Sequence, residues 1–440
     1  MTLQRLLSVA VVAAGFVAPW PAAAQWKSHS VRQLNGTAPE IPIPARLQTV
    51  SERWHDSIAL VPYLVYMSEK DRLLMLFTLQ PEPPKPGLRE MLVSSDDRGA
   101  TWSTPRPLRR EESTEVACSL TYLGQGNLLY HADGYRCFSS DYGATWEPVR
   151  VDDPAEGKIF FWDPLLVERD DKTGAVTRLF ETGWNERSGD GPSHEQGYLR
   201  FSADKGRIWS KLIRVPQWEN VSEVALGRAA NGDLIAGCRT SKAAGDIDHY
   251  EGLGISISKD GGHTWSEINR LYQWGRHHPS FVLMPNHDIV MSYVARKGYV
   301  ATPDGYPQYG IEAVVSHDHG QTWDLDHRYL LHTWVGNRKG PDISTVWASC
   351  QATSSVLLPD GSILTAFGTG FRSQPGPYNS GTPRDLGLVR WGLGDQPLNG
   401  DREIRDAPYD SDLRNVIDPA TGKPGRSSRG PPAKSGAAQQ

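Results

Sequence analysis

The chain has 440 residues, of which 46 are Lys or Arg and 51 are Asp or Glu, so its formal net charge is −5. With 38% hydrophobic residues it is too apolar to be disordered throughout, and its charge excludes a strongly basic nucleic-acid-binding protein. The 43 Gly, 32 Pro and 15 Trp favour many tight turns and an all-β fold.

The N-terminal segment has the three parts of a secretory signal peptide. Arg5 supplies a positive charge, an apolar run extends from Leu6 to Ala18, and Ala22 to Ala24 offers a small-residue cleavage site. The run is too short to span a bilayer stably, and no other stretch approaches the length of a membrane helix. We therefore expect residues 1–24 to be removed and the protein to be exported to the periplasm or the extracellular space, without membrane insertion.

Pairs of apolar strands joined by tight turns recur along the rest of the chain. In five cases a third strand follows that ends on the same short motif, and a four-stranded blade of a β-propeller has this pattern. The six pairs lie at Ile58–Phe77, Val116–His131, Phe160–Thr182, Glu223–Arg239, Pro279–Ala295 and Cys350–Phe367. The sequence therefore predicts six blades, numbered here in chain order.

The recurring motif reads Ser-x-Asp-x-Gly-x-Thr-Trp, with Ile in place of Thr in the third copy. Its aspartates are Asp97, Asp141, Asp204, Asp260 and Asp318. Ser and Asp side chains accept hydrogen bonds from nearby backbone N–H groups, and Gly supplies a position with positive φ. We therefore predict that these five boxes are structural turns rather than catalytic acids or calcium ligands.

The sixth pair is followed by a third strand near Leu386–Trp391 but has no box. Residues 45–50, which precede the first blade, could supply the fourth strand of blade 6. Closure of the ring in this way hides the sheet edges that promote aggregation. We expect the propeller to occupy residues 25–396. Residues 397–440, whose end is rich in Gly, Pro, Ser and Ala, are expected to form a partly disordered tail.

The four cysteines are Cys118, Cys137, Cys238 and Cys350. Export would permit a disulfide, but a chain of this length does not need one to hold its core, so the sequence leaves pairing open. No C-x-x-C pair is present, and a cysteine metal site is not predicted.

The boxes resemble those of the sialidase (neuraminidase) superfamily, whose members carry BNR repeats on a six-bladed β-propeller. The resemblance covers roughly residues 50–395. It implies an exo-acting glycosidase on an acidic sugar, with three arginines on the sugar carboxylate, a Tyr nucleophile activated by a Glu, and an Asp acid/base. These groups lie on the face opposite the boxes.

Two residues match that pattern and three positions depart from it. Glu223 opens the inner strand of blade 4 and Arg239 ends the next strand, which corresponds to the family's Glu and second Arg. The first arginine is replaced by Leu60, and the expected tyrosine falls near Ala352. The family's Asp has no counterpart after the second strand of blade 1.

Strand ends on the same face supply further candidates. Several Arg and His residues in one funnel point to an anionic ligand, because Arg binds carboxylates bidentately and His transfers protons near neutral pH. The candidate catalytic residues are Glu223, His278, His131 and Tyr293. The candidate substrate-binding residues are Arg239, Arg276, Arg296, Asp163, Trp184 and Arg372. Because adjacent side chains of a strand point to opposite faces, His277 and His278 are not predicted to bind a metal, and no cofactor is expected.

Three functions stay open. A sialidase-type hydrolase would use Glu223 to activate a replacement tyrosine, namely Tyr293, Tyr306 or Tyr309. A polysaccharide lyase would neutralise a uronate with Arg239 and Arg276, remove a proton with His278 or His131, and protonate the leaving oxygen with a Tyr or His. A third alternative is a non-catalytic propeller that binds acidic glycans.

Overall fold

In the part of the chain that the computed structural model describes, the regular secondary structure is β-strand apart from one short turn of 3₁₀ helix. The single helical element among the described residues is the 3₁₀ turn Ser68–Lys70. No helix in this part of the chain is long and apolar enough to span a membrane. The described residues are 26–36, 38–49, 57–81, 87–109, 112–113, 115–132, 134–151, 158–187, 194–240, 251–273, 275–295, 308–335, 337–338, 346–347, 353–368, 386–394, 417–418 and 423–424.

Blades 1 to 4 are separate four-stranded antiparallel sheets. Blade 1 consists of Ser57–Met67, Arg72–Pro81, Arg89–Ser95 and Arg106–Pro107. Blade 2 consists of Cys118–Gly124, Asn127–Ala132, Tyr135–Ser139 and Glu147–Arg150. Blade 3 consists of Leu166–Arg169, Val176–Arg187, His194–Ser202 and Ile213–Glu219. Blade 4 consists of Val221–Arg228, Leu234–Thr240, Gly252–Ser258 and Asn269–Tyr272.

Blades 5 and 6 are parts of one nine-stranded sheet. Blade 5 consists of Arg276–Leu283, Ile289–Ala295, Gln308–Ser316 and Tyr329–Val335. Blade 6 consists of Thr353–Leu357, Ile363–Gly368, Leu386–Trp391 and Ala38–Thr49. Two short hairpins remain, formed by Asn337–Arg338 with Val346–Trp347 and by Ile417–Asp418 with Lys423–Pro424.

The N-terminal strands close the ring. Ala38–Thr49 pairs with Leu386–Trp391 as the fourth strand of blade 6, which confirms the predicted closure. The strand begins at Ala38, seven residues before the predicted start at residue 45. A further strand that the sequence analysis did not predict, Lys27–Asn35, joins this strand to the outer strand of blade 5. Val31 and Ile43 are fully buried in the core beneath the joint.

The first strand of each blade lies innermost, and the inner strands pack side by side around a central axis. Because strands alternate in direction, the connections within the first and last strand pairs of a blade lie on one face, here the bottom face. The connections between the second and third strands, and from blade to blade, lie on the top face. The predicted propeller of four-stranded antiparallel blades is therefore confirmed among the described strands, while the count of six stays a prediction because blades 5 and 6 share one sheet.

All five boxes form the same turn on the bottom face. In the second box Ser139 Oγ donates to Asp141 Oδ1 at 2.8 Å and accepts from Gly143 N at 2.9 Å. Asp141 Oδ2 accepts from Thr145 Oγ1 at 2.6 Å. Each Asp carboxylate accepts hydrogen bonds within its own turn, as the structural interpretation predicts, and the third box lacks only the bond from Thr because Ile208 stands there.

Cys118, Cys137 and Cys238 are buried free thiols. Cys350 lies outside the described residues, as do the predicted signal peptide and nearly all of the predicted tail.

Candidate functional site

Four inner strands are interrupted by a β-bulge near the top face, and each bulge holds one non-glycine residue with positive φ. These residues are Val61 (φ 53°), Ser119 (56°), Glu223 (43°) and His278 (54°). A non-glycine residue in this region costs about 1–3 kcal/mol, and such strain is concentrated at functional sites. Two of the four are predicted catalytic residues, and the bulges set the direction of their side chains.

Glu223 and Arg239 form a buried ion pair at the top of blade 4. Arg239 Nη1 donates to Glu223 Oε2 at 2.5 Å, and the two side chains are 13% and 8% exposed. A second carboxylate, Glu251, accepts from Arg239 Nε at 2.6 Å and also from Nη2. The guanidinium is therefore held between two carboxylates.

The sequence analysis missed Glu251. It directly precedes the third strand of blade 4, at the same end of the sheet as Arg239, and it is 2% exposed. An acidic residue at the top end of the third strand in the blade that carries Arg239 was a signal that could have identified it.

His278 completes this cluster. Its Nδ1 atom lies 2.8 Å from Glu223 Oε2, and its Nε2 atom lies 3.4 Å from Arg239 Nη1. Burial lowers the pKa of His278, although the Glu223 carboxylate opposes the shift. The imidazole is therefore neutral near pH 7 and able to accept a proton.

The alternation argument used for His277 and His278 is wrong at this position. Because His278 lies in a bulge, the two rings are in edge contact with centroids 4.4 Å apart. Nitrogen atoms of both residues and an oxygen of Glu223 lie within 4.8 Å of one another, which is a possible metal-ligand set. The Arg239 guanidinium already binds the same Glu223 oxygen, however, so a cation here would face a positive charge at close range.

Asp163 lies at the same centre, in the segment that leads into the inner strand of blade 3. Burial raises the pKa of Asp163 well above its usual value, and the Glu223 carboxylate raises it further, while Arg239 opposes the shift. Burial would likewise raise the pKa of Glu223, but Arg239 and His278 outweigh it and hold that pKa at about 2. The pKa values of the two carboxyl groups are thus shifted in opposite directions.

An axial cavity of about 610 Å³ reaches this cluster from the bottom face. Asp163 and His278 line its inner end, together with Tyr63 of blade 1, and Glu69 lies at its outer end. Tyr63 donates to the carbonyl oxygen of Trp162 at 2.9 Å. Burial raises the pKa of Tyr63 well above its usual value, and Cys118, Asp163 and Glu223 add to the shift, so this phenol is protonated near pH 7.

The structure places His131 in a different buried cluster, between blades 2 and 3. Glu181 accepts from Arg136 at 2.6 Å and from Arg200 at 2.6 Å, and all three side chains are buried. Burial and the nearby Arg136 lower the pKa of His131 to about 4. This cluster joins two blades and is separate from the contacts of Glu223.

Tyr293 and Arg276 are likewise not brought to Glu223. Tyr293 is fully buried between blades 4 and 5, with its hydroxyl 2.7 Å from that of Tyr272. Burial and the nearby Glu312 raise its pKa well above the usual value, which makes it a poor nucleophile. Arg276 Nε donates to Glu312 at 3.2 Å.

Trp184 lies where blade 3 extends above the top face, and its ring stacks on Phe160 with centroids 4.7 Å apart. Lys158 Nζ lies 5.0 Å from the centre of the Phe160 ring. Arg296, Arg372 and Tyr306 lie outside the described residues, and the side chain of Tyr309 is also outside the description.

Comparisons with known proteins agree with the architecture. The BNR/Asp-box repeat family matches residues 314–325, which include the fifth box. No curated protein sequence matches the chain.

Solved structures share the fold at low sequence identity. A protein of unknown function from Dyadobacter fermentans is 19% identical, with a TM-score of 0.54 over 79% of this chain and 99% of that one. The Hadza microbial sialidase Hz136 is 13% identical, with a TM-score of 0.54 over 81% and 70% of the two chains. The endosialidase of phage phi92 is 12% identical, with a TM-score of 0.51 over 84% and 73%. The chain therefore carries a BNR/Asp-box repeat at residues 314–325 and shares the β-propeller fold of these solved structures.

Proposed function

We propose that the protein is a glycoside hydrolase whose reaction is carried by Asp163 and Glu223. The supporting observation is that two carboxyl groups of one buried cluster have pKa values moved in opposite directions. Such pairs supply the acid and the ionised carboxylate of glycosidases.

In this mechanism Asp163 donates its proton to the glycosidic oxygen as the bond from that oxygen to the anomeric carbon breaks. Glu223 stays ionised and stabilises the positive charge on the anomeric carbon, by bonding to it or by orienting the attacking water. Where Glu223 has bonded to the anomeric carbon, water displaces it as that carbon–oxygen bond breaks, and the proton that the water loses restores Asp163. Where Glu223 has oriented the water, the Glu223 carboxylate takes that proton and Asp163 regains one from solvent. Arg239 holds Glu223 in its charged form.

Further support comes from the fold, because two proteins with the same architecture are named a sialidase and an endosialidase. We therefore propose glycans as the substrate class of this protein as well. We also propose, from the N-terminal pattern, that the enzyme acts outside the cytoplasm. The acidic character of the sugar stays a prediction, and the described arginines do not add support, since Arg239 and Arg276 bind internal carboxylates.

A lyase is the second candidate, because His278 is a neutral imidazole placed against the Glu223 carboxylate. A lyase must neutralise the carboxylate of a uronate to make its C5 proton acidic. Arg239 and Arg276 are already paired with carboxylates, so we favour hydrolysis. A non-catalytic glycan-binding propeller would not need two carboxyl groups with opposed pKa shifts.

The test compares Asp163→Asn and Glu223→Gln on glycosides with good and poor leaving groups. Loss of a general acid should lower kcat by about 10²–10⁴-fold for poor leaving groups and far less for activated aryl glycosides. Glu223→Gln should impair both kinds of substrate. Asp204→Asn, in a box on the bottom face, is the matched control and should retain wild-type turnover.

If Asp163→Asn lowers kcat equally for good and poor leaving groups, Asp163 is not the general acid. Products with the ultraviolet absorbance of an unsaturated uronate, lost in His278→Ala and kept in Asp163→Asn, would establish the lyase instead. Binding without turnover of any glycan would favour the non-catalytic alternative.

A further inference from the structure

The charged groups at the centre of the site already neutralise one another. Arg239 uses Nε and Nη2 on Glu251 and Nη1 on Glu223. All three side chains are almost completely buried, so these bonds are formed away from solvent. The single guanidinium therefore faces two carboxylates, and the trio carries a net negative charge.

We propose that the described part of this site selects an uncharged sugar unit, and that Glu251 sets this preference by occupying the guanidinium of Arg239. The proposal rests on the function proposed above and names its substrate class. It departs from the acidic sugar that the sequence predicts.

Arg239 has one edge that could hold a substrate carboxylate, and an internal carboxylate already lies on it. A guanidinium binds a substrate carboxylate through two parallel N–H groups, and the edge of Arg239 formed by Nε and Nη2 is the fork suited to that contact. Glu251 occupies this edge. A substrate carboxylate would have to displace a buried glutamate whose charge would then be left without a partner.

Arg276 is the other arginine that the structure describes among the predicted substrate-binding residues, and it too is paired with a carboxylate. Arg276 is 7% exposed and paired with Glu312, which also binds Arg328 at 3.3 Å. This group joins the third and outer strands of blade 5 to its inner strand and does not contact Glu223. Neither described arginine thus presents a free fork to a ligand.

The Asp163 carboxyl group shows how the site acts on a carboxylate. It resists ionisation through burial and through the charge of Glu223. A carboxylate brought by a substrate to the same place would meet the same two effects. The carboxylates of Glu223 and Glu251 accept hydrogen bonds, and the hydroxyl groups of a neutral sugar can donate them.

The experiment uses pairs of 4-nitrophenyl glycosides that differ only at C6, namely glucoside with glucuronide and galactoside with galacturonide, in both anomeric forms, together with a sialoside. We expect the neutral member of a pair to have the higher kcat/KM by about tenfold or more. A ratio of this size needs only a modest difference between the two glycosides in transition-state binding. A uronide or sialoside turned over faster than every neutral glycoside would overturn the proposal.

Glu251→Gln tests the role of the residue. It should shift the uronide-to-glucoside ratio of kcat/KM toward the uronide by about tenfold, because it removes the charge that neutralises Arg239 while keeping the shape. Glu147→Gln removes one charge on the outer strand of blade 2, where Glu147 binds Arg207, and should leave the ratio unchanged. An unchanged ratio in folded Glu251→Gln would overturn the role of Glu251. If that variant does not fold, the wild-type ratio alone decides the substrate class.

Failure of the glycosidase proposal can be told apart from failure of this one. If no glycoside is hydrolysed, wild-type protein is applied to an array of neutral and acidic glycans. Retention of neutral glycans would support the uncharged sugar without hydrolysis, whereas retention of acidic glycans alone, or of none, would overturn it.

Discussion

At the scale of single residues, Asp163 and Glu223 show how one buried site shifts the pKa values of two carboxyl groups in opposite directions. Asp163 has few charges to compensate its burial, whereas Glu223 has Arg239 and His278 beside it. Because a raised native pKa favours the protonated form, Asp163 contributes its full stability below the ordinary pKa of about 4, and that contribution is lost as pH rises toward the native value.

Asp163→Asn should therefore stabilise the protein at pH 7 and have little effect near pH 3. The asparagine keeps the shape of the neutral acid and cannot ionise, which removes the cost at higher pH. Urea unfolding of wild type and variant at both pH values measures this difference. Equal differences at the two pH values would show that Asp163 titrates normally.

Glu223→Gln has the opposite pH dependence. Its carboxylate has a native pKa of about 2, so its contribution is present above the ordinary value near 4 and disappears as pH falls toward 2. The variant should be less stable than wild type at pH 7, with the gap narrowing toward pH 3. A gap of constant size in urea unfolding would contradict the assigned shift.

The cluster around Glu181 is expected to act in stability rather than in catalysis. Glu181→Gln leaves Arg136 and Arg200 buried without a counter-charge, which should cost about 3–5 kcal/mol of unfolding free energy. Thermal unfolding checks this, with the exposed pair of Glu147 and Arg207 as the control, since Glu147→Gln should change stability by less than about 1 kcal/mol. A small effect of Glu181→Gln would mean that water reaches the cluster.

At the scale of elements, the boxes and the bulges occupy opposite ends of the blades and serve different purposes. A box satisfies its own backbone and side-chain groups, whereas the bulge at Ser119 has positive φ and leaves the buried Ser119 hydroxyl without a hydrogen-bond partner. The strained backbone therefore lies in the bulged strands, whereas the hydrogen bonds of the boxed turns stabilise the fold.

Asp141→Ala should lower the free energy of unfolding by about 1–2 kcal/mol, because it removes the acceptor for the Thr145 amide and hydroxyl. Turnover per folded molecule should stay near wild type. Thermal melts and active-site-normalised rates measure the two effects. A stable variant with lost turnover would place this box in the active site.

Ser119→Gly is expected to stabilise the fold by about 0.5–1 kcal/mol, since glycine adopts positive φ freely and the unpaired hydroxyl is removed. The greater entropy of glycine in the unfolded chain limits the gain. Ser119→Ala also removes the hydroxyl but keeps the strained backbone, so its denaturant midpoint should lie below that of Ser119→Gly. Equal midpoints would argue against strain at this bulge.

At the scale of the whole molecule, closure depends on strands that lie far from blades 5 and 6 in the sequence. Lys27–Asn35 and Ala38–Thr49 fill the joint between these blades and bury Val31, Ile43 and Ala45 completely. Without them, the outer strand of blade 5 and the third strand of blade 6 would become open edges.

Deleting residues 26–49 should lower the unfolding midpoint by more than about 10 °C and promote association through the open edges, since several kcal/mol of burial is lost. Deleting residues 425–440, in the predicted tail, is the control and should have little effect. Calorimetry and light scattering of both truncated proteins measure the outcome. Cooperative unfolding at the wild-type midpoint after the N-terminal deletion would show that closure is not required.

Much of the architecture could be predicted from the sequence because its determinants are local. Each box is specified by side chains within a few residues, each hairpin turn by its Gly, Asn or Asp, and the pairing of strands by their alternation with those turns. Leu386–Trp391 and the use of residues near 45 to close blade 6 followed from counting strands. The strand Lys27–Asn35 was missed because it lies outside this repeat.

The candidate site was predicted only where it depends on strand ends. Glu223 and Arg239 could be placed together because neighbouring antiparallel strands bring their ends to one edge. The tertiary structure alone decided that Glu251 shares Arg239, that a bulge brings His277 and His278 together, and that His131, Tyr293 and Arg276 lie in other clusters. Bulges, burial and charge neutralisation arise from contacts between segments far apart in the chain, so local sequence patterns do not encode them.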